Sequence, residues 1–67
     1  MNRKEWLLRL RKCHKVETLE KIMEKKRHEL DDDALAVFWG AADHRLAELI
    51  MGRLYDRVPL KVWHMIR

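Results

Sequence analysis

The sequence contains few residues that bend or cross-link a chain: two glycines, one proline and one cysteine among 67 residues. So little glycine and proline leaves few places for long irregular loops. The single cysteine, Cys13, cannot form a disulfide within the chain and has no further cysteines with which to build a zinc cluster. No apolar run approaches the roughly 20 residues of a membrane-spanning helix, and the first residues lack the apolar segment of a signal peptide. We therefore expect a cytoplasmic protein with short connections.

Patterns that carry catalysis or bind metals are also missing. The four histidines form neither an HxxxH nor an HExxH pattern, and none has zinc-ligand spacing from Cys13; they are His14, His28, His44 and His64. The run 31–33 of three aspartates is not followed by a calcium-binding loop, and there is no GxSxG turn. We therefore predict no enzyme, no cofactor and no metal site, and we interpret Cys13 as a buried thiol.

Length and composition favour one small globular domain, 1–67. Hydrophobic residues make up 48% of the chain and charged residues 39%, which is typical of a thin core beneath a charged surface. A chain of this size buries only about 60% of its unfolded surface. Such a domain has no room for a deep substrate cleft, so we expect it to act through its surface.

The net charge of +4 is distributed in blocks. Residues 1–15 carry six basic residues against one acid, residues 28–48 carry six acids against one arginine, and residues 49–67 carry four basic residues against one acid. Such blocks indicate two partners, or one protein partner and a nucleic acid. An ordinary solvated surface of mixed charge is the alternative.

Apolar residues at helical spacing predict four helices, over residues 3–12, 16–29, 32–55 and 59–66. Asp31 is a suitable N-cap for the third helix, and Pro59 a suitable first residue of the fourth, whose core candidates are Trp63 and Ile66. The third helix would be about 36 Å long. We therefore predict an all-α fold in which the other three helices pack around a long third helix.

A helical wheel of the third helix separates one acid from the predicted core. The core stripe is predicted to contain Leu35, Phe38, Trp39, Ala42, Leu46, Leu49 and Ile50. Asp43 falls about 80° from Leu35, among the small residues Ala36, Gly40 and Ala47. A carboxylate in such a strip is partly desolvated and favours pairing with an arginine. That arginine could belong to a partner, or to this chain, for instance Arg57 or an arginine of the first helix.

Basic residues near the end of the first helix could contact DNA phosphates, which requires charge but no base reading. They are Arg9, Arg11, Lys12, His14 and Lys15. A helix-turn-helix is not predicted, because each candidate second helix carries acids that would repel the DNA backbone. The three tryptophans, Trp6, Trp39 and Trp63, are interpreted as core residues and not as platforms for stacked bases. Independent sequence-specific DNA binding is therefore not expected.

Several segments closely resemble the Hha/YmoA family of bacterial expression modulators. They are Leu-Arg-Leu-Arg-Lys-Cys (8–13), Glu-Thr-Leu-Glu-Lys (17–21), Ala-Ala-Asp-His-Arg-Leu-Ala-Glu-Leu (41–49), Leu-Tyr-Asp (54–56), Val-Pro (58–59) and Val-Trp (62–63). The resemblance implies a four-helix protein that binds the N-terminal dimerisation region of the nucleoid-associated silencer H-NS or a paralogue. The complex would help to repress horizontally acquired genes, virulence genes among them. DNA would be bound through the complex, with no membrane and no small-molecule substrate.

The resemblance also implies roles for individual residues. Asp43 matches the acid by which the family binds an arginine of H-NS, and Glu20 matches a second acidic position of that interface. The family's exposed basic residues, which are thought to face DNA, match Arg9, Arg11, Lys12, Lys25 and Arg45. The sequence departs from the family at Ala34, Trp39, Gly40, Ile50 and Gly52, which indicates a divergent copy. A toxin-like member of a toxin–antitoxin pair and a stand-alone nonspecific DNA-binding protein are the alternative functions.

Overall fold

The computed structural model describes residues 1–66, with side chains for residues 1–65. In this part of the chain four α-helices and no strand are present: α1 (Arg3–Leu10), α2 (Val16–Glu29), α3 (Asp32–Met51) and α4 (Leu60–Ile66). The molecule measures 30 × 21 × 21 Å. Its long dimension matches the length of the 20-residue α3, at about 1.5 Å per residue. The predicted all-α fold around a long third helix is therefore confirmed.

Short polar side chains start two of the helices. The Asn2 side chain accepts a hydrogen bond from the Glu5 N–H at 2.8 Å, and the Asn2 N–H donates to the Glu5 carboxylate at 3.4 Å, which together form a capping box. Asp31 accepts from the Ala34 N–H at 2.8 Å, so the predicted N-cap of α3 is confirmed. The bounds predicted for the second helix, 16–29, coincide with those of α2.

The ends of α1 and α3 come earlier than predicted. The first helix stops at Leu10 instead of residue 12, and the third at Met51 instead of residue 55. Gly52 has φ 70°, and its N–H donates to the Glu48 carbonyl, so the glycine closes α3 in the left-handed conformation. The prediction was wrong because it placed Gly52 inside the helix.

Two apolar clusters share α3. The first contains Leu10, Cys13, Leu19, Phe38, Ala41 and Ala42, and brings α1 and α2 onto the N-terminal part of the helix. The second contains Ala47, Val58 and Val62, and brings α4 onto its C-terminal part. All three tryptophans pack against these clusters, as predicted, and the rings of Trp6 and Phe38 form a T-shaped contact at a centroid distance of 5.0 Å. Cys13 is buried, which was also predicted.

One core prediction for α3 was wrong. Ile50, predicted to lie in the core, is 50% exposed. In α4, Val62 is buried beside the partly buried Trp63. The predicted core residue Ile66 lies outside the side chains that the structure describes. The buried side of α3 is thus turned away from Ile50 and towards the alanines Ala41, Ala42 and Ala47.

We predict that replacing the two glycines has opposite effects on stability. At Gly40 a Cβ atom would lie 3.3 Å from Nε of Arg3, an exposed and flexible side chain that can move. Gly40→Ala should therefore stabilise the protein by up to about 1 kcal/mol. Gly52→Ala should destabilise the protein by about 1 kcal/mol, because the φ of Gly52 is positive. No atom lies within 4 Å of the added Cβ, so a steric clash does not contribute to the change. Melting followed by circular dichroism measures both, and equal melting temperatures would contradict the assignment of Gly52 as the cap.

Candidate functional site

A buried carboxylate, Glu48 of α3, is held by two arginines. Glu48 is 2% exposed. Arg11 donates to both of its oxygens, from Nη2 to Oε2 at 2.6 Å and from Nε to Oε1 at 3.2 Å. Arg45 donates from Nη1 to Oε1 at 3.0 Å, and the Tyr55 backbone N–H donates to Oε2, also at 3.0 Å. The carboxylate thus joins the end of α1, the third helix and the segment that follows it.

The two arginines of this network also donate hydrogen bonds to backbone carbonyls. Arg45 donates to the Cys13 carbonyl from Nε at 3.2 Å and from Nη2 at 2.8 Å, and to the Arg11 carbonyl at 3.4 Å. Arg11 donates to the Tyr55 carbonyl at 3.1 Å. The carbonyls of residues 11 and 13 thus accept hydrogen bonds from Arg45, immediately after α1 ends at Leu10. Among the described residues, no buried side-chain nitrogen or oxygen lacks a hydrogen-bond partner.

His44 completes the cluster from one helical turn before Glu48. Its Nε2 lies 2.7 Å from the Tyr55 carbonyl oxygen. A carbonyl can only accept, so Nε2 carries the proton. The same nitrogen is 3.5 Å from Oε2 of Glu48. His44 therefore acts as a structural donor to the segment after α3.

The electrostatics of this cluster favour ionised Glu48. Burial alone would raise the pKa of Glu48, but hydrogen bonds from Arg11, the Tyr55 N–H and Arg45, together with the charge of Arg11, lower that pKa from 4.5 to about 2. The hydrogen bond to Glu48 in turn raises the pKa of Arg11. Glu48 and Arg11 are therefore both charged throughout the physiological range.

This network changes the predicted DNA-facing surface. Arg45 is 5% exposed and its guanidinium binds inside the protein, so its prediction as an exposed basic residue is wrong. The side chain of Arg11 is only 27% exposed, and its charge is compensated by Glu48. Of the predicted basic set, Arg9, Lys12 and Lys25 are exposed, and Lys25 lies 3.9 Å from Glu29.

Sequence reasoning missed the inward direction of Arg45 and Glu48. On a wheel at about 100° per residue, Arg45 falls between Ala41 and Phe38, which are both fully buried. Glu48 follows Arg45 by three residues, the spacing at which helical side chains meet. The alanines were the available signal, because small apolar residues mark the closest approach of a neighbouring helix.

The predicted partner-binding acids occupy different environments. Asp43 is half-buried on α3, and it already interacts with another part of the protein. The Arg3 side chain lies across Gly40, about one helical turn before Asp43. Glu20 is exposed on α2, next to the buried Leu19. The interface role of both acids stays a prediction.

Metal-binding clusters and membrane-spanning helices do not occur in the part of the chain that the structure describes. No group of three or more potential metal ligands is found among these residues. None of the helices described has the length and apolarity that crossing a membrane requires.

Comparison with known proteins gives consistent matches. Residues 8–64 match the family model described as haemolysin expression modulating protein. Curated relatives named OriC-binding nucleoid-associated protein, from Escherichia coli O157:H7, Shigella flexneri serotype 5b and Shigella boydii serotype 4, are each 42% identical over 71 residues. Each alignment covers 100% of this chain and 100% of the relative.

We predict that Glu48 makes stability depend on acid pH. Its pKa is about 2 in the folded protein against an ordinary 4.5. Its ionised form therefore stabilises the fold above pH 4.5, and this contribution, roughly 3 kcal/mol, is lost as the pH falls towards 2. Glu48→Gln should lower the free energy of unfolding at neutral pH by about 3–5 kcal/mol, because the buried guanidinium of Arg45 and the partly buried one of Arg11 lose their counter-charge.

Urea unfolding at a series of pH values measures this contribution. The Glu48→Gln difference from wild type should shrink as the pH falls from 4.5 to 2. Glu17→Gln, which changes an exposed carboxylate of α2, serves as the control and should follow wild type. A difference that is constant across these pH values would show that Glu48 is not the titrating group.

Proposed function

Because the chain belongs to the family of haemolysin expression modulating proteins, as its resemblance to Hha/YmoA proteins indicated, we propose that it modulates gene expression by binding an H-NS-type nucleoid-associated protein. In this proposal it is a non-enzymatic co-regulator at the nucleoid. It docks on the N-terminal dimerisation region of the silencer and strengthens repression, including that of horizontally acquired or virulence genes. The observation that carries the proposal is the family match over residues 8–64, which contains the segment 41–49 around Asp43.

The chemistry of Asp43 suits recognition of a cationic partner. Its carboxylate is half-buried on α3, with the side chain of Arg3 lying across the same helix at Gly40. A partly desolvated carboxylate forms a strong, directional pair with a guanidinium. We propose that an arginine of the partner enters here and joins or replaces the interaction that Asp43 makes in the free protein. Glu20, exposed on α2, would add a second negative charge to the same interface.

The exposed basic residues support a role for the complex on DNA. Arg9 and Lys12 lie at and just beyond the C-terminal end of α1, and Lys25 lies on α2. Phosphates are neutralised by such residues without any reading of bases, which adds affinity but no sequence preference. We propose that these three residues extend the positive surface that a bound H-NS-type protein presents to DNA.

Direct DNA binding is the second candidate function. Its support is the printed name of the relatives, OriC-binding nucleoid-associated protein, together with the net charge of +4. With acids on α2 and three aspartates starting α3, such binding would be weak and salt-sensitive when the protein acts alone. A gel shift of the isolated protein against origin and random DNA, at physiological salt, distinguishes the two functions.

We predict that Asp43→Asn weakens docking to an H-NS N-terminal fragment by roughly 100-fold or more. Asparagine keeps the shape but removes the charge, and an uncompensated partner arginine costs about 3–5 kcal/mol. Calorimetric titration measures the affinity, with a thermal melt beside it. Asp33→Asn is the matched control, because it removes an exposed acid from the first turn of the same helix. If Asp43→Asn lowers the melting temperature and leaves the affinity unchanged, Asp43 has only an internal role.

We also predict that Arg9→Glu with Lys12→Glu weakens DNA binding by the complex and leaves docking to the H-NS fragment intact. The dependence of log affinity on log salt should flatten by about one for each phosphate that is no longer neutralised. The control reverses Lys21 and Lys61, two exposed lysines on other parts of the surface. Loss of docking in the Arg9 and Lys12 variant would place these residues in the protein interface instead.

A further inference from the structure

An open groove runs between α1 and the segment that leads into α4. It has a volume of about 1180 Å³. One wall is formed by α1 and its end, and the other by residues 55–60 together with Trp63; His44 of α3 also lines the groove. The residues of the first wall are Arg3, Lys4, Leu7, Leu8 and Arg11. Its volume is above the roughly 300–1,000 Å³ of small-molecule pockets, and it is partly open to solvent, so it suits a segment of a macromolecule better than a metabolite.

Two leucines of the groove are left largely exposed by the residues that the structure describes. Leu8 on one wall is 53% exposed, and Leu60 on the other is 71% exposed. Deeper in, Leu7 and Trp63 are partly buried and Val58 is buried. Exposed leucines that share a groove with a partly buried tryptophan are typical of a surface that another apolar surface covers.

Positive charge surrounds these leucines. Arg3, Lys4 and Arg57 are exposed and line the groove, whereas Arg11 is compensated by Glu48. Among the described residues that line it, Asp56 is the one acid. The acidic residues of the segment 28–48 do not contribute to the lining. The groove is therefore basic at its rim and apolar between its walls.

We infer that this groove docks an acidic amphipathic helix of a partner protein. The apolar face of such a helix would cover Leu8 and Leu60, and its carboxylates would pair with Arg3, Lys4 and Arg57. An amphipathic helix lying in an apolar groove is a recurrent mode of peptide recognition. DNA fits less well, because phosphates would satisfy the cations but would leave both leucines exposed.

This docking surface differs in charge from the one proposed at Asp43. The groove attracts carboxylates, whereas Asp43 attracts a cation, so the inference does not depend on the H-NS-type partner. Arg3 belongs to the groove and also lies across Gly40 near Asp43. The two surfaces thus adjoin along the start of α1.

The probe is a fluorescently labelled helical peptide that has leucines at positions i, i+3, i+4 and i+7 and glutamates elsewhere. The full chain is titrated into this peptide, and the fluorescence anisotropy measures binding. A peptide with lysines in place of the glutamates is its control. The variant Leu8→Ser with Leu60→Ser should bind the acidic peptide about tenfold or more weakly, because the apolar area that the two leucines would bury against the peptide is removed. Ile50→Ser with Leu54→Ser, which changes exposed apolar residues outside the groove lining, should bind like wild type.

Charge reversal supplies an independent arm. Lys4→Glu with Arg57→Glu should also weaken acidic-peptide binding about tenfold, while Lys21→Glu with Lys61→Glu should not. The inference is overturned if both peptides bind equally, or if the groove leucines can be changed without loss of affinity. It is equally overturned if duplex DNA binds the groove and is unaffected by the leucine changes, or if sedimentation shows that a second copy of the chain occupies the groove.

Discussion

The shape of this protein depends on how Glu48 is neutralised. A carboxylate that is almost completely buried must receive hydrogen bonds from every side, and here they come from Arg11, Arg45 and the backbone of Tyr55. A buried ion pair adds little net stability compared with apolar side chains of the same volume. Here the ion pair fixes positions, because each donor has to lie within hydrogen-bond distance of the carboxylate. The end of α1, the middle of α3 and the return of the chain towards α4 are placed by the same two oxygen atoms.

The number of helices and their order could be predicted because each is marked locally. The second helix has the predicted bounds, and Asp31 caps the third as its side-chain chemistry indicated. The ends of α1 and α3 could not be predicted from apolar spacing. At Met51 the decisive residue is Gly52, whose left-handed conformation a wheel does not register. At Leu10 the following carbonyls bind Arg45, which lies more than 30 residues further along the sequence.

The candidate site was only partly predictable for the same reason. Hydrophobic spacing separates apolar from polar residues, but it cannot tell a buried, paired arginine from an exposed one. Arg45 therefore entered the predicted DNA-facing set although its side chain is buried and donates to Glu48 and to backbone carbonyls. Asp43 was distinguished because its neighbours are small, a property that the wheel does register. The exposed basic charge is consequently smaller than the sequence indicates, because Arg45 is buried and Arg11 is partly buried beside Glu48. Arg9, Lys12 and Lys25 remain exposed, and so do Arg3, Lys4 and Arg57 of the groove.

The bonding around Glu48 has a consequence for how such a sequence can diverge. Arg11, Arg45 and Glu48 contribute side chains. A change at Glu48 leaves Arg45 buried without its counter-charge, and a change at either arginine removes hydrogen bonds from a buried carboxylate. Tyr55 contributes only its N–H and its carbonyl. In related chains, positions 11, 45 and 48 should therefore vary as a set. At position 55 this network excludes only proline, because proline has no N–H to donate.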